Sequence, residues 1–486
     1  MLSKLRSSKK LLICMVVVVA MAAVVAIVGC APKANPGNPT PSASSPTTVP
    51  EVTKNGVIYG AEWESQYPNQ VRTWQSNDEN LWLPKDGDVN EIDKLVKYPE
   101  IKVLGLGYGY AKFYTEPAGH TYSLFTVTHQ GRATAKAKTG CIACKSAEFN
   151  YDVAQSGDSE IWSENFWQYV QKYEDNITCA NCHDNEDPSV VKPTRLQWIE
   201  ALGDGIDKAT ASSEACGQCH CDYSMDPVTG RPTSPYDSLD GMTPEKALQW
   251  YDEHNYVDWT YATTGAKMLA VRHSEFEYNY GPEGGHMGRD LGYDCADCHM
   301  AVKTADDGTA YHSHYWGSPL DNQELINTNC STCHADIKAE VAEKQKKEDA
   351  HRHEVGMRAA DFIHNFEDAI AAGTLTDEQV ARLQKIQRDS AFYWNSVAAE
   401  NSKGAHNTAL YESTLQKAEE LLNEGDMILG KASTVEGFQA WADAHADELH
   451  SKITDASLAV AAGVTLPQSV EADGEANDIN MFYVAS

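Results

Sequence analysis

Five short motifs constrain this 486-residue chain more than any other feature, since each holds two cysteines separated by two residues. In four of them a His follows the second cysteine, as in Cys179-Ala180-Asn181-Cys182-His183. This CxxCH pattern is typical of c-type haem attachment, in which two thiols form thioethers and the His binds iron. The sequence therefore predicts a fold built around several covalent haems. The attachment cysteines are Cys141, Cys144, Cys179, Cys182, Cys216, Cys219, Cys295, Cys298, Cys330 and Cys333.

The first motif, Cys141-Ile142-Ala143-Cys144-Lys145, ends in Lys instead of His. An amine binds iron only after losing its proton, so we expect Lys145 to lie where burial and the metal favour the neutral form. A surface CxxC followed by a chance Lys is the alternative, and the four CxxCH copies argue against it. Zinc would need four ligands closing one tetrahedron, and these evenly built motifs do not form such sets.

The N-terminal segment 1–29 carries basic residues and then an apolar run, Leu11 to Val28. This pattern predicts an export signal, either a signal peptide or an uncleaved membrane anchor. The small residue before Cys30 favours a lipoprotein signal in which Cys30 carries the lipid. Segment 30–56 is rich in Pro, Ser and Thr, which predicts a flexible tether ahead of a folded domain at 57–486. We expect that domain on the extracytoplasmic or periplasmic face of the membrane.

The formal net charge is −31 at pH 7, which argues against nucleic acid as a partner. A strongly acidic protein also repels small anions. A site that binds an anionic substrate would therefore need a local positive pocket near the first haem.

The residues between Val57 and Thr139 predict loops with short helices, because aromatic residues alternate there with Gly, Pro and Asn. Beyond His334 the composition predicts long helices. Thr376-Asp377-Glu378-Gln379 resembles a capping box, which predicts a helix running to about Asn401. A further helix is predicted from Thr408 to Asn423.

One CxxCK motif beside four CxxCH motifs resembles the ammonia-forming cytochrome c nitrite reductases, which carry five haems. The resemblance runs from about Trp63 to about His406. It implies a mainly α fold with a haem-filled core, long C-terminal helices and five covalent c-type haems. It also implies six-electron reduction of nitrite to ammonium at the Lys145 haem, with electrons supplied through four bis-His haems. The implied partners are a membrane quinol-oxidising multihaem cytochrome as electron donor and a second copy in a homodimer.

The same resemblance implies three catalytic residues from separate segments. Gly119-His120 followed twelve residues later by Arg132 has the family spacing, and Tyr223 and His273 match the remaining positions. From spacing alone, Arg132 would be a solvated surface residue and His273 a structural one. The joint match to one haem pocket favours catalytic roles for all three.

The iron ligands follow from the motifs and the resemblance together. If the first iron is left open for substrate, the other four haems each need a second ligand. The implied distal ligands of the third, fifth, second and fourth haems are His120, His286, His314 and His406. His286 has an unusual spacing to the next motif, and His312 competes with His314. The proximal ligands are Lys145, His183, His220, His299 and His334.

One departure from the family pattern concerns calcium. Relatives commonly bind it beside the active site through a Glu before the Tyr and a Gln before the His; here those positions hold Asp222 and Arg272. A guanidinium has no acceptor and repels a cation. We therefore expect calcium to be absent, with Arg272 pairing with Asp222 and holding the carbonyls of Tyr223 and Ala270. The alternative is that Arg272 points elsewhere and calcium binds with water.

Two other functions stay open at this point. A pure electron-transfer cytochrome would have two ligands at every iron, which the CxxCK motif disfavours. A related enzyme acting on hydroxylamine or sulfite would share the same motifs.

Overall fold

The computed structural model describes residues 44–52, 55–79, 93–114, 119–128, 133, 136–156, 160–202, 210–446 and 449. The apolar run, Cys30 and Arg132 lie outside these residues. Within them the chain is mainly helical, which confirms the predicted fold class. No helix in these ranges is both long and apolar enough to cross a bilayer.

Long helices make up the C-terminal part of the described chain. Asp377–Ala398 begins with the predicted capping box, in which Thr376 and Gln379 bond each other's backbone. The predicted second helix is longer than expected, Thr408–Leu429. The preceding Ile337–Ala372 helix ends at Gly373, whose φ of 64° is in the left-handed region that glycine adopts easily. The fourth helix is Val435–Ala444.

These helices bury one continuous apolar core. Phe362, Ile386, Leu415 and Leu422 are fully buried where three of the helices meet. Burying side chains of this size contributes about 1.5–3 kcal/mol each, so the helices form a rigid wall. Both ends of the Asp377–Ala398 helix therefore have fixed positions, including the turn that follows it.

The described chain before His334 consists of short helices, loops and three short strand pairs, and its part between Val57 and Thr139 agrees with the predicted loops and short helices. A second core of aromatic residues, with Phe149, Trp162 and Phe166, packs around Ile142 of the first motif. The short helices are Gly60–Trp63, Pro68–Gln75, Ser76–Glu79, Lys94–Lys97, Glu100–Leu104, Gly109–Ala111, His120–Tyr122, Ser123–Thr128, Thr139–Ile142, Ala147–Ser156, Ile161–Ser163, Phe166–Val170, Cys179–Asn181, Leu196–Leu202, Ala211–Gly217, Leu239–Gly241, Pro244–Glu253, Glu275–Tyr280, His286–Asp290, Cys295–His299, Pro319–Asp321, Gln323–Thr328 and Cys330–Thr332.

The strands of the described chain form separate antiparallel pairs. Ser224–Met225 pairs with Pro232–Thr233, with Ser224 opposite Thr233. Trp259–Thr260 pairs with Lys267–Met268. Val302–Thr304 pairs with Ala310–His312 and leads directly to His314. These strand pairs therefore fix the positions of the loops that follow them, and they do not form the core of a larger sheet.

The end of the predicted tether lies against the folded domain. The Gln66 side chain accepts hydrogen bonds from the backbone N–H groups of Thr47 and Thr48 at 2.8 and 3.2 Å. The Tyr67 hydroxyl donates to the carbonyl of Ser44 at 2.8 Å. Residues 44–48 are thus held by the domain, and a tether along 30–43 stays a prediction.

Candidate functional site

The haem motifs lie on or directly after short helical turns. In the second, third and fifth motifs the N–H of the final His donates to the carbonyl of the first Cys, at 2.9, 3.0 and 2.9 Å. A residue and the fourth one after it share a helix face, so this bond puts the first thiol and the imidazole on one side. In the first motif the N–H of Lys145 instead donates to Ile142 at 2.8 Å, three residues back.

At three of these motifs, the His of the motif faces an imidazole ring from a distant segment of the chain. The ring centroids are 6.1 Å apart for His183 and His314, and 6.1 Å for His120 and His220. They are 6.3 Å apart for His299 and His406. A metal–nitrogen bond of about 2 Å and roughly 1.2 Å from nitrogen to centroid would put two opposed ligands about 6.3 Å apart. The residues present therefore fit haem iron bound between each pair.

The other candidate ligands are less closely defined. His312 bonds the carbonyl of Met300 through Nδ1 at 2.9 Å, whereas His314 faces His183, so the geometry favours His314 for the second haem. His286 and His334 each bind a carboxylate through Nδ1, at 3.1 and 2.7 Å. This leaves Nε2 of each ring for a metal, and their pairing at the fifth haem stays a prediction.

Burial keeps several of these rings neutral, as a metal ligand must be. Burial lowers the pKa of His120 to about 3, and His220 and Lys145 add to the effect. Burial also lowers the pKa of His314 to about 3, with His183 adding to it. At neutral pH both rings therefore have a nitrogen lone pair available for iron.

Carboxylates hold the Nδ1 atoms of some ligand candidates and not of others. Glu400 is 2.7 Å from His406, and Glu275 is 3.6 Å from His220. By contrast, His299 bonds the carbonyl of Gly317 at 3.1 Å. Such partners orient a ligating imidazole and make it more basic. The haems are thus expected to differ in reduction potential.

The motifs lie side by side. The sulfur of Cys144 in the first motif neighbours that of Cys219 in the third, and the sulfur of Cys216 in the third neighbours that of Cys295 in the fourth. The Cys182 thiol of the second motif is 3.9 Å from the carbonyl of Ala215, just before the third motif. The third motif is therefore central, which suits electron transfer between neighbouring haems.

A pocket with two arginines lies beside the first motif. The Tyr223 ring centroid is 5.1 Å from the guanidinium carbon of Arg195 and 5.7 Å from that of Arg272. Burial raises the pKa of Tyr223 well above its ordinary value, although both arginines act in the opposite direction. The hydroxyl therefore keeps its proton and can donate it in a hydrogen bond.

Arg272 is held in place by a network that differs in part from the expected one. Its guanidinium pairs with Asp258, with Nη2 and Oδ1 2.6 Å apart, and it donates to the Ala270 carbonyl at 2.5 Å. Asp222, predicted as the ion-pair partner, instead accepts the backbone N–H of Arg272 at 3.3 Å and the Tyr251 hydroxyl at 3.0 Å. Asp258 is the nearer carboxylate, so the predicted pairing is corrected to Asp258.

The two aspartates differ in their surroundings. Burial raises the pKa of Asp222 to about 7, and the positive charge of Arg272 opposes this. The side chains of Arg272 and Asp258 are only 7% and 4% exposed, so their charges neutralise each other away from water. The guanidinium thus holds the Ala270 carbonyl, which is one of the contacts expected of Arg272 from the sequence.

His273 lies next to the third motif, and its ring centroid is 5.3 Å from that of His220. Its Nδ1 is 3.5 Å from a Glu275 oxygen, which leaves Nε2 on the opposite side of the ring. Tyr223 and His273 both neighbour the first and third motifs. Arg132, the third predicted catalytic residue, lies outside the described residues.

A family model described as Cytochrome c552 matches residues 60–473. The chain belongs to the cytochrome c552 family. As a cytochrome c552, it carries covalently bound c-type haems, in agreement with the motif prediction.

Relatives of this cytochrome c552 include the cytochrome c nitrite reductase subunit NrfA of Nitratidesulfovibrio vulgaris, 27% identical over 413 residues, 75% of this chain and 76% of that protein. Cytochrome c-552 of Bacteroides fragilis is 28% identical over 356 residues, 70% of each chain. A solved NrfA structure from Desulfovibrio desulfuricans, whose title refers to two calcium sites, matches with a TM-score of 0.66. It is 24% identical and covers 81% of this chain and 88% of that one, so the fold is shared. The resemblance to cytochrome c nitrite reductases is confirmed.

No sequence motif of this cytochrome c552 marks Arg195, Asp258 or Glu275 as functional. Arg195 is 1% exposed and donates to the carbonyl of Gln218 in the third motif. A lone Arg or Glu between motifs carries no local pattern, so contact geometry was needed to find these residues. Arg195 supplies a positive charge beside Tyr223, as a site for an anionic substrate requires.

Proposed function

We propose that this cytochrome c552 reduces nitrite to ammonium with six electrons at the haem of the first motif. The main observation behind this proposal is a contrast between the motifs. Lys145 of the first motif lies beside a pocket with two arginines, whereas in three other motifs the His ring faces a second imidazole ring at 6.1–6.3 Å. The name of the Nitratidesulfovibrio vulgaris relative supports the substrate.

The proposed ligand set leaves one iron open. When bound, the five haems would supply that open iron for nitrite and a relay that delivers electrons to it. Lys145 would bind the iron of the first-motif haem, where nitrite is proposed to react. The pairs proposed for the second to fifth haems are His183 with His314, His220 with His120, His299 with His406, and His334 with His286.

The pocket residues bind the anion and supply protons. Arg195 places a positive charge beside Tyr223, and Arg132 is proposed as a second, so nitrite is attracted locally despite a net charge of −31. Arg132 and His273 hold and polarise the nitrite oxygens. The protonated Tyr223 hydroxyl orients the substrate by a hydrogen bond and assists protonation as the N–O bonds break.

Product analysis tests this function. Under anaerobic conditions with a reduced viologen dye, we expect six electrons and eight protons consumed per nitrite, with ammonium and two waters formed. Parallel assays with hydroxylamine and sulfite test the related activities. Dye-reducible haems without turnover of any of the three would instead identify an electron-transfer cytochrome.

A second expected outcome concerns location. We propose that the protein is exported and tethered to the membrane through Cys30, and that a membrane quinol-oxidising multihaem cytochrome reduces it. Native protein should sediment with membranes. Cys30→Ala should release the protein from the membrane fraction if a lipid on Cys30 is the tether, and leave it there if the uncleaved apolar run is the anchor. Native protein found wholly in the soluble extracytoplasmic fraction would contradict tethering.

A homodimer is also proposed, from the family resemblance. Sedimentation of purified, haem-loaded protein at micromolar concentration should give about twice the chain mass of 53.4 kDa before processing. A monomer at that concentration would contradict it.

A further inference from the structure

Glu275 lies between two imidazole rings that belong to different sites. Its Oε1 is 3.6 Å from Nδ1 of His220, a candidate ligand of the third haem. Its Oε2 is 3.5 Å from Nδ1 of His273, the residue proposed to act on nitrite. The Glu275 side chain is 11% exposed, so little solvent competes for its oxygens. One carboxylate therefore contacts both the electron relay and the substrate pocket.

Two further donors fix the position of this carboxylate. Asn401 Nδ2 donates to Oε1 at 2.5 Å, and the N–H of Ser274 donates to Oε2 at 3.1 Å. The carboxylate is therefore already oriented.

Other carboxylates near ligand candidates have simpler surroundings. Glu340 contacts Nδ1 of His334, and its own side chain is 44% exposed. Glu400 holds His406 and otherwise bonds the turn that carries that residue. Glu275 differs from both because its second oxygen faces a ring that is not a ligand candidate.

We propose that Glu275 is a positioning residue shared by the third haem and the substrate pocket. Each oxygen lies within ion-pair distance of one Nδ1, at 3.6 and 3.5 Å, so the Nε2 of His220 is directed to its iron and the Nε2 of His273 to the substrate. The inference rests on the proposed function, since it gives His273 a role at the substrate.

The shared carboxylate predicts two separable effects. A negative charge at Nδ1 makes His220 a stronger donor and lowers the reduction potential of the third haem. The same charge fixes the His273 ring, which affects turnover of bound substrate more than its binding. Removing the charge should raise one haem potential and lower kcat together.

The test uses Glu275→Gln in the full, haem-loaded protein. A potentiometric titration followed by electron paramagnetic resonance should show an upward shift at one low-spin haem. Loss of such an outer-sphere partner should lower kcat for nitrite by about 10- to 100-fold, with a much smaller change in KM. Glu340→Gln is the matched control, and we expect it to shift a different haem and lower kcat less.

Asn401→Ala provides a second test that keeps Glu275 charged. It removes a donor from the carboxylate, so the potential of the same haem should shift downward, opposite to Glu275→Gln. Unchanged potentials in both variants, or shifts of the same sign, would overturn the proposal. The potentials do not depend on the substrate, whereas a wild-type protein inactive on nitrite would contradict the proposed function alone.

Discussion

Lys145→His should keep the haem attached at Cys141 and Cys144 but lower nitrite turnover at least tenfold. Both thiols remain, and the change is confined to the ligand opposite the proposed substrate position. Changing outer-sphere partners of metal ligands lowers activity by about 10- to 100-fold, and changing the ligand itself should have at least that effect. The measurements are haem content by mass spectrometry and kcat with a reduced dye.

Lys431→His is the control for this substitution. Lys431 has a side chain that is 61% exposed and lies 3.9 Å from Asp368, among the C-terminal helices. The same chemical change there should leave turnover unaffected. A Lys145→His variant with five haems and wild-type activity would show that Lys145 is not the ligand at the reacting haem.

Arg272→Gln should destabilise the fold and abolish most nitrite turnover in calcium-free buffer. It leaves Asp258, whose side chain is 4% exposed, without its ion-pair partner. Removing one partner of a buried ion pair lowers the free energy of unfolding by about 3–5 kcal/mol. The carbonyl of Ala270 also loses its donor, so the segment leading to His273 loosens. Thermal unfolding and kcat measure the two effects.

Arg382→Gln is the matched control, because Arg382 and Glu424 are 40% and 39% exposed and pair at 2.5 Å. Exposed pairs contribute at most about 1 kcal/mol, so this variant should unfold close to wild type.

A calcium measurement distinguishes the two explanations of the Arg272 site, in which either Arg272 replaces calcium or calcium binds with water. We propose that purified wild-type protein contains no stoichiometric calcium and keeps its activity with a chelator. In Arg272→Gln, added calcium should restore part of the activity, since Gln supplies an acceptor where Arg could not. Calcium bound to the wild type, or activity lost to a chelator and regained with calcium, would contradict this proposal.

Features encoded in local patterns were predictable from the sequence. The five motifs, the capping box at Thr376 and the mainly helical C-terminal part each depend on residues within a few positions of one another. The candidate distal ligands came from the family resemblance, and the facing rings of His314 and His183 agree with it. Arg132 falls outside the described residues, so its role stays a proposal.

Contacts between distant segments were not predictable. Arg272 was expected to pair with Asp222 because the two positions are linked in the family pattern, yet the strand pair at Trp259 brings Asp258 closer. Asn401 reaches Glu275 only because the Asp377–Ala398 helix ends there. The sequence predicted the end of this helix to within a few residues, but it does not show which carboxylate the following turn meets.

The turn after the Asp377–Ala398 helix also sets an order of maturation. Glu400 and His406 follow all five attachment motifs in the chain, so under the proposed ligand set thioether formation can be complete while the fourth haem has only His299. With His406 as its second ligand, that haem becomes six-coordinate only when the last helices dock. We expect a chain ending at Ala398 to be red but partly high-spin, so spin state would report how far folding has advanced during export.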